Sequence, residues 1–210
     1  MLATKIKMPV QQRSIERLEK VIQTTVTLLE TEPLEQCQIQ TISTISGVPR
    51  NFIYQYFPTI DHLYSLIVSR YFEKLPAFLL LSQQAYQVFS LLQIIEDVLA
   101  RACEFYNQNK TASVLILGGP VTIDGFSLQQ MVIEQIARDF LNLIEKINID
   151  FELKKADDMV ILVELIFALM KHSYYRYGTV TKDIQSEIMG VCEVYLAKKG
   201  YLAEIANFFV

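Results

Sequence analysis

The stretch Ser46–Phe57 reads SGVPRNFIYQYF and decides how the first part of the chain folds. Gly47 can end a helix in the left-handed backbone conformation, which costs little for a residue without a side chain. Pro49 can then lie in the first turn of a new helix, where its missing N–H is not needed. Because Pro58 follows nine residues later, the new helix has room for only about two turns. The stretch therefore predicts two short helices joined by a tight turn, which is a helix-turn-helix.

The second of these helices can have one apolar and one polar face. Ile53 and Phe57 are one turn apart and can anchor the helix from behind. Arg50, Asn51 and Gln55 can then face outward, where arginine can bind guanine and an amide side chain can bind adenine in a major groove. The alternative is a helical hairpin inside a larger bundle, in which the same polar residues are only solvated. For the turn alone, both interpretations stay open.

Helices are also predicted along the rest of the chain. Apolar residues recur at spacings of three and four, and no stretch alternates apolar and polar residues long enough to indicate a strand. Seven glycines and six prolines in 210 residues leave few breaks. Outside the two short helices, the predicted helical segments are residues 12–30, 60–75, 87–108, 111–117, 126–148, 156–176 and 181–199, with a short one after Gly200.

The lengths of these helices divide the chain into two parts. Short helices precede Pro76 and longer helices follow it. We therefore predict an all-α fold in which residues 1–58 form a three-helix helix-turn-helix domain and residues 76–210 form a larger helical domain. The helix over residues 60–75 links the two domains.

Charge is distributed unevenly between the two parts. The chain has a formal charge of −4, which excludes a generally basic coat for nucleic acid. Residues 1–76 hold eight Lys and Arg against seven Asp and Glu, whereas residues 77–210 hold eleven against sixteen. No acidic residue occurs between Gln38 and Ile60. The asymmetry favours an N-terminal part that faces an anion.

The cysteines and the apolar runs bear on the location of the protein. Cys37, Cys103 and Cys192 are far apart and odd in number, which argues against a disulfide framework and fits a reducing cytosol. The most apolar run, Met159–Met170, is twelve residues long and includes Glu164. A membrane span needs about 20 apolar residues. We expect a cytoplasmic protein with no membrane partner.

Around the helix-turn-helix, the sequence resembles the tetracycline-repressor (TetR) family of bacterial transcriptional regulators. The family pattern is roughly I-A-x-x-A-G-V-S-x-x-x-[LF]-Y-x-[YH]-F-x-[ST]-K-[ED]-x-L, and this chain follows it without a gap. The resemblance covers about residues 12–75. The residues in register with the pattern are Ile42, Ser43, Ser46, Gly47, Val48, Pro49, Ile53, Tyr54, Tyr56, Phe57, Thr59, Asp61 and Leu63.

The resemblance implies a homodimeric repressor that binds double-stranded DNA at a palindromic operator. Two of the chain's departures from the family pattern concern the DNA-binding helices. Pro49 replaces the usual serine, so the side-chain cap of the second helix is lost. Ile60 replaces a lysine that often contacts phosphate, which removes one cation. By position, the implied DNA contacts are Gln40, Arg50, Asn51, Tyr54, Gln55 and Tyr56.

Members of this family carry a second helical domain that binds an effector, and the resemblance implies the same for residues 76–210. Aromatic and methionine side chains in this part could line an apolar pocket, or they could be ordinary core residues. The implied pocket residues are Phe78, Phe105, Tyr106, Met131, Phe167, Met170 and Tyr174.

The last two long helices commonly form the dimer in this family. Here the last long helix has apolar residues at spacings of four, three and four, and this seam could pair with a partner subunit or pack within one chain. Together with one acidic residue of the preceding helix, the implied interface residues are Glu164, Ile184, Ile188, Val191 and Tyr195.

No motif indicates an enzyme, a metal site or a cofactor. His62 and His172 are the only histidines, and GFSLQ at residues 125–129 lacks the second glycine of a nucleophile elbow. We therefore expect a ligand-responsive DNA-binding regulator whose effector is small and largely apolar. The alternative is an all-α small-molecule binding or interaction protein whose helix-turn-helix no longer binds DNA.

Overall fold

The computed structural model describes residues 9–79, 83–119, 123–147, 149, 151 and 153–202, and no strand occurs among them. The predicted all-α class is confirmed, whereas the predicted helix after Gly200 lies outside the described residues. Within the described ranges, no helix combines the length and the apolar character needed to cross a membrane. The helices are α1 (Gln12–Thr31), α2 (Ile39–Ser46), α3 (Arg50–Tyr56), α4 (Ile60–Leu79), α5 (Leu91–Gln108), α6 (Lys110–Ala112, continued by a π-helical turn at Ser113–Leu117), α7 (Ile123–Lys146), α8 (Asp158–Tyr177) and α9 (Lys182–Lys198), with 3₁₀ turns at Leu34–Gln36 and Gln83–Tyr86.

Helix α4 is longer than the sequence predicts. The expected end before Pro76 is wrong, because the helix continues to Leu79. A proline inside a helix cannot donate the backbone hydrogen bond to the residue four positions earlier, which is Phe72 here. Leu75 and Leu79 are almost fully buried on the two sides of Pro76. Their packing offsets the missing hydrogen bond and keeps the helix continuous.

Helix α5 begins at Leu91, four residues later than the predicted start at residue 87. The N–H of Ser90 donates to Oε1 of Gln93 (2.8 Å), and the N–H of Gln93 donates to Oγ of Ser90 (3.3 Å). This reciprocal pair is a capping box, and it satisfies two backbone donors that the first turn leaves without a helical partner. The sequence signal for it is the Ser-x-x-Gln spacing.

The chain divides into two compact units. Unit 1 comprises Met1–Glu73 and Asn109–Leu128, and unit 2 comprises Lys74–Gln108 and Gln129–Val210. The division differs from the predicted domains in the segment Asn109–Leu128, which joins the N-terminal helices. Two side chains tie this segment to α1: Thr111 Oγ1 donates to the carbonyl of Val26 (3.2 Å), and Lys110 Nζ donates to the carbonyl of Glu30.

Unit 1 is built around an apolar core from α1 to α4. The apolar residues of α1 recur at spacings of three and four, so they form one face of that helix. Ile42, Ile53 and Phe57 are completely buried in the same core, which fixes α2 and α3 in place. The core residues are Leu18, Val21, Ile22, Leu28, Leu29, Cys37, Ile39, Ile42, Val48, Ile53, Phe57, Leu63 and Ile67.

In unit 2, the first residue of α8 binds the end of α9. The carboxylate of Asp158 is 2% exposed and accepts hydrogen bonds from Lys199 Nζ (2.6 Å), the Tyr201 hydroxyl (2.8 Å) and the Tyr195 hydroxyl (3.4 Å). The bond from the Lys199 cation, with help from Tyr201, holds the pKa of Asp158 below its ordinary value, although burial acts in the opposite direction. The carboxylate therefore connects the start of α8 with the segment after α9.

Replacing Asp158 with asparagine is expected to lower the melting temperature at neutral pH by several degrees, because Lys199 loses its charged partner. A carboxylate whose pKa is lowered on folding stabilises the protein above its unfolded pKa of about 3.9, and this stabilisation is lost as the pH falls through the lower folded pKa. The difference between wild type and variant should therefore shrink in acid. Thermal unfolding across a pH series measures it, with the exposed neighbour Asp157→Asn as the control. A difference that is the same at every pH would contradict this origin.

Two glycines are expected to respond to alanine in opposite directions. Gly47 ends α2 with a φ of +68°, so Gly47→Ala should destabilise the protein by about 1–2 kcal/mol. Gly190 lies within α9, and a Cβ added there would meet no atom within 4 Å. Gly190→Ala should therefore stabilise it by about 0.5–1 kcal/mol. Urea unfolding measures the free energy of unfolding of both variants. Equal effects of the same sign would show that the left-handed backbone at residue 47 is not the reason for its glycine.

Candidate nucleic-acid interface and apolar cavity

The turn between α2 and α3 is held by hydrogen bonds to Val48. The hydroxyl of Ser43 donates to the carbonyl of Val48 (2.7 Å), and the N–H of Val48 donates to Oγ of Ser46 (3.2 Å). Pro49, just before α3, supplies no side-chain cap. The N–H and the carbonyl of Val48 are thus both bound by serines of α2, at positions where the family pattern has alanines. The lost cap was predicted from the sequence. The bonds made by the two serine hydroxyls were not predicted, although the serines themselves were the visible signal.

Helix α3 divides into a buried and an exposed face, as the sequence predicts. Ile53 and Phe57 are completely buried and Val48 is 4% exposed. Arg50, Asn51, Tyr54 and Gln55 are exposed on α3, and Gln40 is exposed at the start of α2. These five exposed side chains are polar, whereas Ile53, Phe57 and Val48 pack into the core of unit 1.

Tyr56 is placed differently from the other predicted contacts. It is half-buried, packs against the core of unit 1, and its ring centre lies 5.1 Å from that of Phe52. Phe52 in turn is partly buried, and the guanidinium carbon of Arg17 lies 5.7 Å from the centre of its ring. Phe52 therefore packs on the side of α3 that faces α1.

The start of α4 carries no cation. Ile60, at the position of the family's lysine, is half-buried against the core of unit 1. Thr59 Oγ1 and His62 Nδ1 lie 2.8 Å apart, and Asp61 between them is exposed. Any positive charge beside α3 must therefore come from elsewhere in the unit.

Unit 2 contains an apolar cavity of about 60 Å³. It is surrounded by the C-terminal part of α4 and by α5, α7 and α8, and Tyr106 is the lining residue with a hydroxyl group. Burial raises the pKa of Tyr106. The lining residues are Leu75, Leu79, Ile95, Val98, Leu99, Ala102, Tyr106, Ile136, Phe140, Met159, Leu162, Val163, Ile166, Phe167 and Met170.

The cavity includes some of the predicted pocket residues. Tyr106, Phe167 and Met170 line it, and the aliphatic residues around them were not predicted. Phe105 is buried beside Tyr106, with 5.4 Å between ring centres, and is not part of the lining. The other three predicted residues also lie outside the lining: Phe78 contacts Phe105, Tyr174 is half-buried, and Met131 is 61% exposed.

The predicted interface residues differ in exposure. Glu164 is exposed, and Ile184, Val191 and Tyr195 are half-buried. Ile188 is completely buried within its own chain, which leaves no part of its side chain for a partner. Two apolar side chains of α8 and α9 that were not predicted are more exposed, namely Ile161 (40%) and Val194 (46%). In the part of the chain that the structure describes, no three His, Cys, Asp or Glu side chains are grouped as metal ligands would be.

Comparisons with known proteins identify the fold. No family model and no curated protein matches the sequence. A TetR-family transcriptional regulator from Streptomyces coelicolor superposes with a TM-score of 0.65 and 17% identity, covering 91% of this chain and 86% of that chain. A TetR transcriptional regulator from Rhodococcus sp. RHA1 superposes with a TM-score of 0.57 and 18% identity, covering 88% and 97%. The chain therefore has the all-α fold of these TetR-family regulators.

Proposed function

We propose that the protein is a DNA-binding transcriptional regulator of the TetR type, a homodimer that represses until a small apolar effector binds to unit 2. The main support for this proposal is the division of α3 into an anchored face and an exposed polar face. Its outward face presents Arg50, Asn51 and Gln55, while Ile53 and Phe57 anchor it completely. A short helix held in this way can enter a major groove and bind base edges, which a helix packed inside a bundle cannot do.

The short length of α3 favours a dimer. Helix α3 has seven residues, so it can contact only a few base pairs. Two copies related by a two-fold axis would bind the two halves of a palindrome and raise both affinity and specificity. Exposed Ile161 and Val194 offer apolar surface on α8 and α9.

The effector site is the apolar cavity of unit 2. Its volume of about 60 Å³ is smaller than the roughly 150 Å³ of a cavity that holds benzene, so a ligand must push side chains apart. Met159 and Met170 in its wall are flexible enough to allow this. A lining of aliphatic and aromatic groups favours an uncharged, apolar molecule, because a buried charge without a partner is costly.

Helix α4 can carry the response to the DNA-binding unit. Leu75 and Leu79 near its C-terminus line the cavity, and Leu63 and Ile67 near its N-terminus belong to the core of unit 1. Pro76 removes one backbone hydrogen bond between these pairs and weakens the helix at that point. A ligand that binds better when Leu75 and Leu79 are displaced would shift the population of the form that binds DNA.

The direct test is fluorescence anisotropy of the full chain with duplexes from the region upstream of its own gene. Saturable binding to one palindromic duplex, well above binding to a scrambled duplex, supports the proposal. Equal weak binding to both at low salt would overturn it. Light scattering at micromolar concentration tests the dimer, because a species of 24.2 kDa would be a monomer.

A second candidate is a small-molecule binding protein that has lost the ability to bind DNA. Ile60 favours it, since the start of α4 lacks the cation that family members place there. The same anisotropy experiment separates the two candidates, because the second predicts only non-specific binding.

A further inference from the structure

Three cations occupy one face of α1. Arg13, Arg17 and Lys20 are spaced by four and then three residues, which places their side chains within a narrow sector of the helix surface. Arg13 and Lys20 are exposed and Arg17 is half-buried. The three Cα positions span about 10 Å along the axis, at about 1.5 Å per residue. We name this surface the α1 stripe.

The α1 stripe borders the helix-turn-helix. The guanidinium carbon of Arg17 lies 5.7 Å from the ring centre of Phe52, which is in α3. A Cβ built on Gly47 would lie 4.0 Å from Nζ of Lys20, so this ammonium group is beside the turn between α2 and α3. Positive charge is therefore present beside α3 and the turn before it, although the start of α4 has none.

The acidic residues of this part of α1 have other partners. Glu19 accepts two hydrogen bonds from Arg70 of α4, at 2.8 and 2.5 Å, and this cation lowers the pKa of Glu19. Glu16 is four residues before Lys20 and accepts a hydrogen bond from the neutral Gln12 (3.1 Å), so this face holds one carboxylate against three cations. The stripe thus keeps a net positive charge.

We propose that Arg13, Arg17 and Lys20 bind backbone phosphates of the DNA beside the bases that α3 contacts, and that they replace the cation lost at Ile60. This inference rests on the proposed function. Each strand of a duplex carries one phosphate per 3.4 Å of helix axis, so a stripe about 10 Å long can face two or three phosphates. The α1 stripe supplies affinity and orientation, and α3 supplies base discrimination.

The test measures how DNA affinity depends on salt, using the full-length protein and the duplex that wild type binds. The double variant Arg13→Gln/Lys20→Gln should reduce the slope of log affinity against log salt by about 0.9 per lost phosphate contact, or about 1.8 in total. Its preference for the operator over a scrambled duplex should stay at the wild-type ratio. Arg13→Lys/Lys20→Arg keeps the charges and should keep the slope.

Lys155→Gln is the control, since it removes an exposed cation from a loop of unit 2. A slope for Arg13→Gln/Lys20→Gln equal to that of wild type and Lys155→Gln would overturn the inference while leaving the regulator intact. A reduced slope with a changed operator preference would also overturn it, because the stripe would then contact bases. If wild type itself binds no duplex specifically, it is the proposed function that fails. Melting temperatures of all variants establish that each is folded.

Discussion

The double variant Arg50→Ala/Gln55→Ala is expected to bind the operator at least about 30-fold more weakly than wild type. A good base contact by either side chain contributes about 1–3 kcal/mol, and a loss of 1.4 kcal/mol is about tenfold in affinity. Both residues are exposed on α3, so their removal opens no cavity in the core. The melting temperature should therefore stay within a few degrees. Anisotropy titrations and thermal unfolding of the same samples measure the two quantities.

The matched control is Gln135→Ala/Arg138→Ala, which removes the same two residue types from exposed positions of α7. Its operator affinity should remain within about twofold of wild type, because α7 is not part of the helix-turn-helix. Two results would contradict the proposal that α3 binds the bases of the operator. One is an affinity of the α3 variant equal to the control, and the other is a large loss of stability, which would place Arg50 and Gln55 in the structural framework.

Tyr56 is left out of this experiment because of its position in the structure. Its half-buried ring packs beside Phe52, so Tyr56→Ala would remove core packing as well as any contact with phosphate. Tyr54, which is 48% exposed, is the better choice for testing a tyrosine contact. Burial distinguishes the two tyrosines, whereas their sequence positions do not.

The parts of the fold that local chemistry determines were predictable. The glycine at 47 adopts the left-handed conformation that ends α2, and the apolar spacing of α1 places its core face correctly. The continuation of α4 through Pro76 was not predictable in the same way, because it depends on packing of Leu75 and Leu79 against residues far away in sequence. Propensity alone favours a break there, and tertiary burial overrides it.

The candidate sites show the same limit. For α3, one short segment carries both the anchors and the outward side chains, so the pattern separated them except at Tyr56, which packs against the core. The cavity is lined from four helices, and most of its wall is aliphatic. Aromatic residues were the visible signal in the sequence, yet Met131 points to solvent and Phe105 lies behind the wall. The face of a helix that packs against the other helices is set by the tertiary fold, so the sequence of a single helix does not determine it.

Filling the cavity is expected to abolish the response to an apolar ligand while DNA binding persists. Ala102 lines the cavity on α5, and Ala102→Met would place a flexible side chain into a space of about 60 Å³. Methionine is a good helix former, so the backbone should be unaffected. With benzene as the probe, wild type should gain melting temperature, because a ligand that binds only the folded state stabilises it. Benzene should also weaken operator binding by wild type, and Ala102→Met should show neither effect.

The opposite change provides the control for this experiment. Leu162 is 1% exposed in the cavity wall, and Leu162→Ala should destabilise the protein by about 2–5 kcal/mol in the absence of ligand. The larger cavity should bind benzene more tightly, so the rise in melting temperature with benzene should exceed that of wild type. An equal benzene response in wild type, Ala102→Met and Leu162→Ala would locate binding elsewhere. A different result would be a benzene-induced rise in melting temperature that increases with cavity size while operator affinity stays unchanged. Ligand binding would then not release DNA, which would contradict the proposed role of α4.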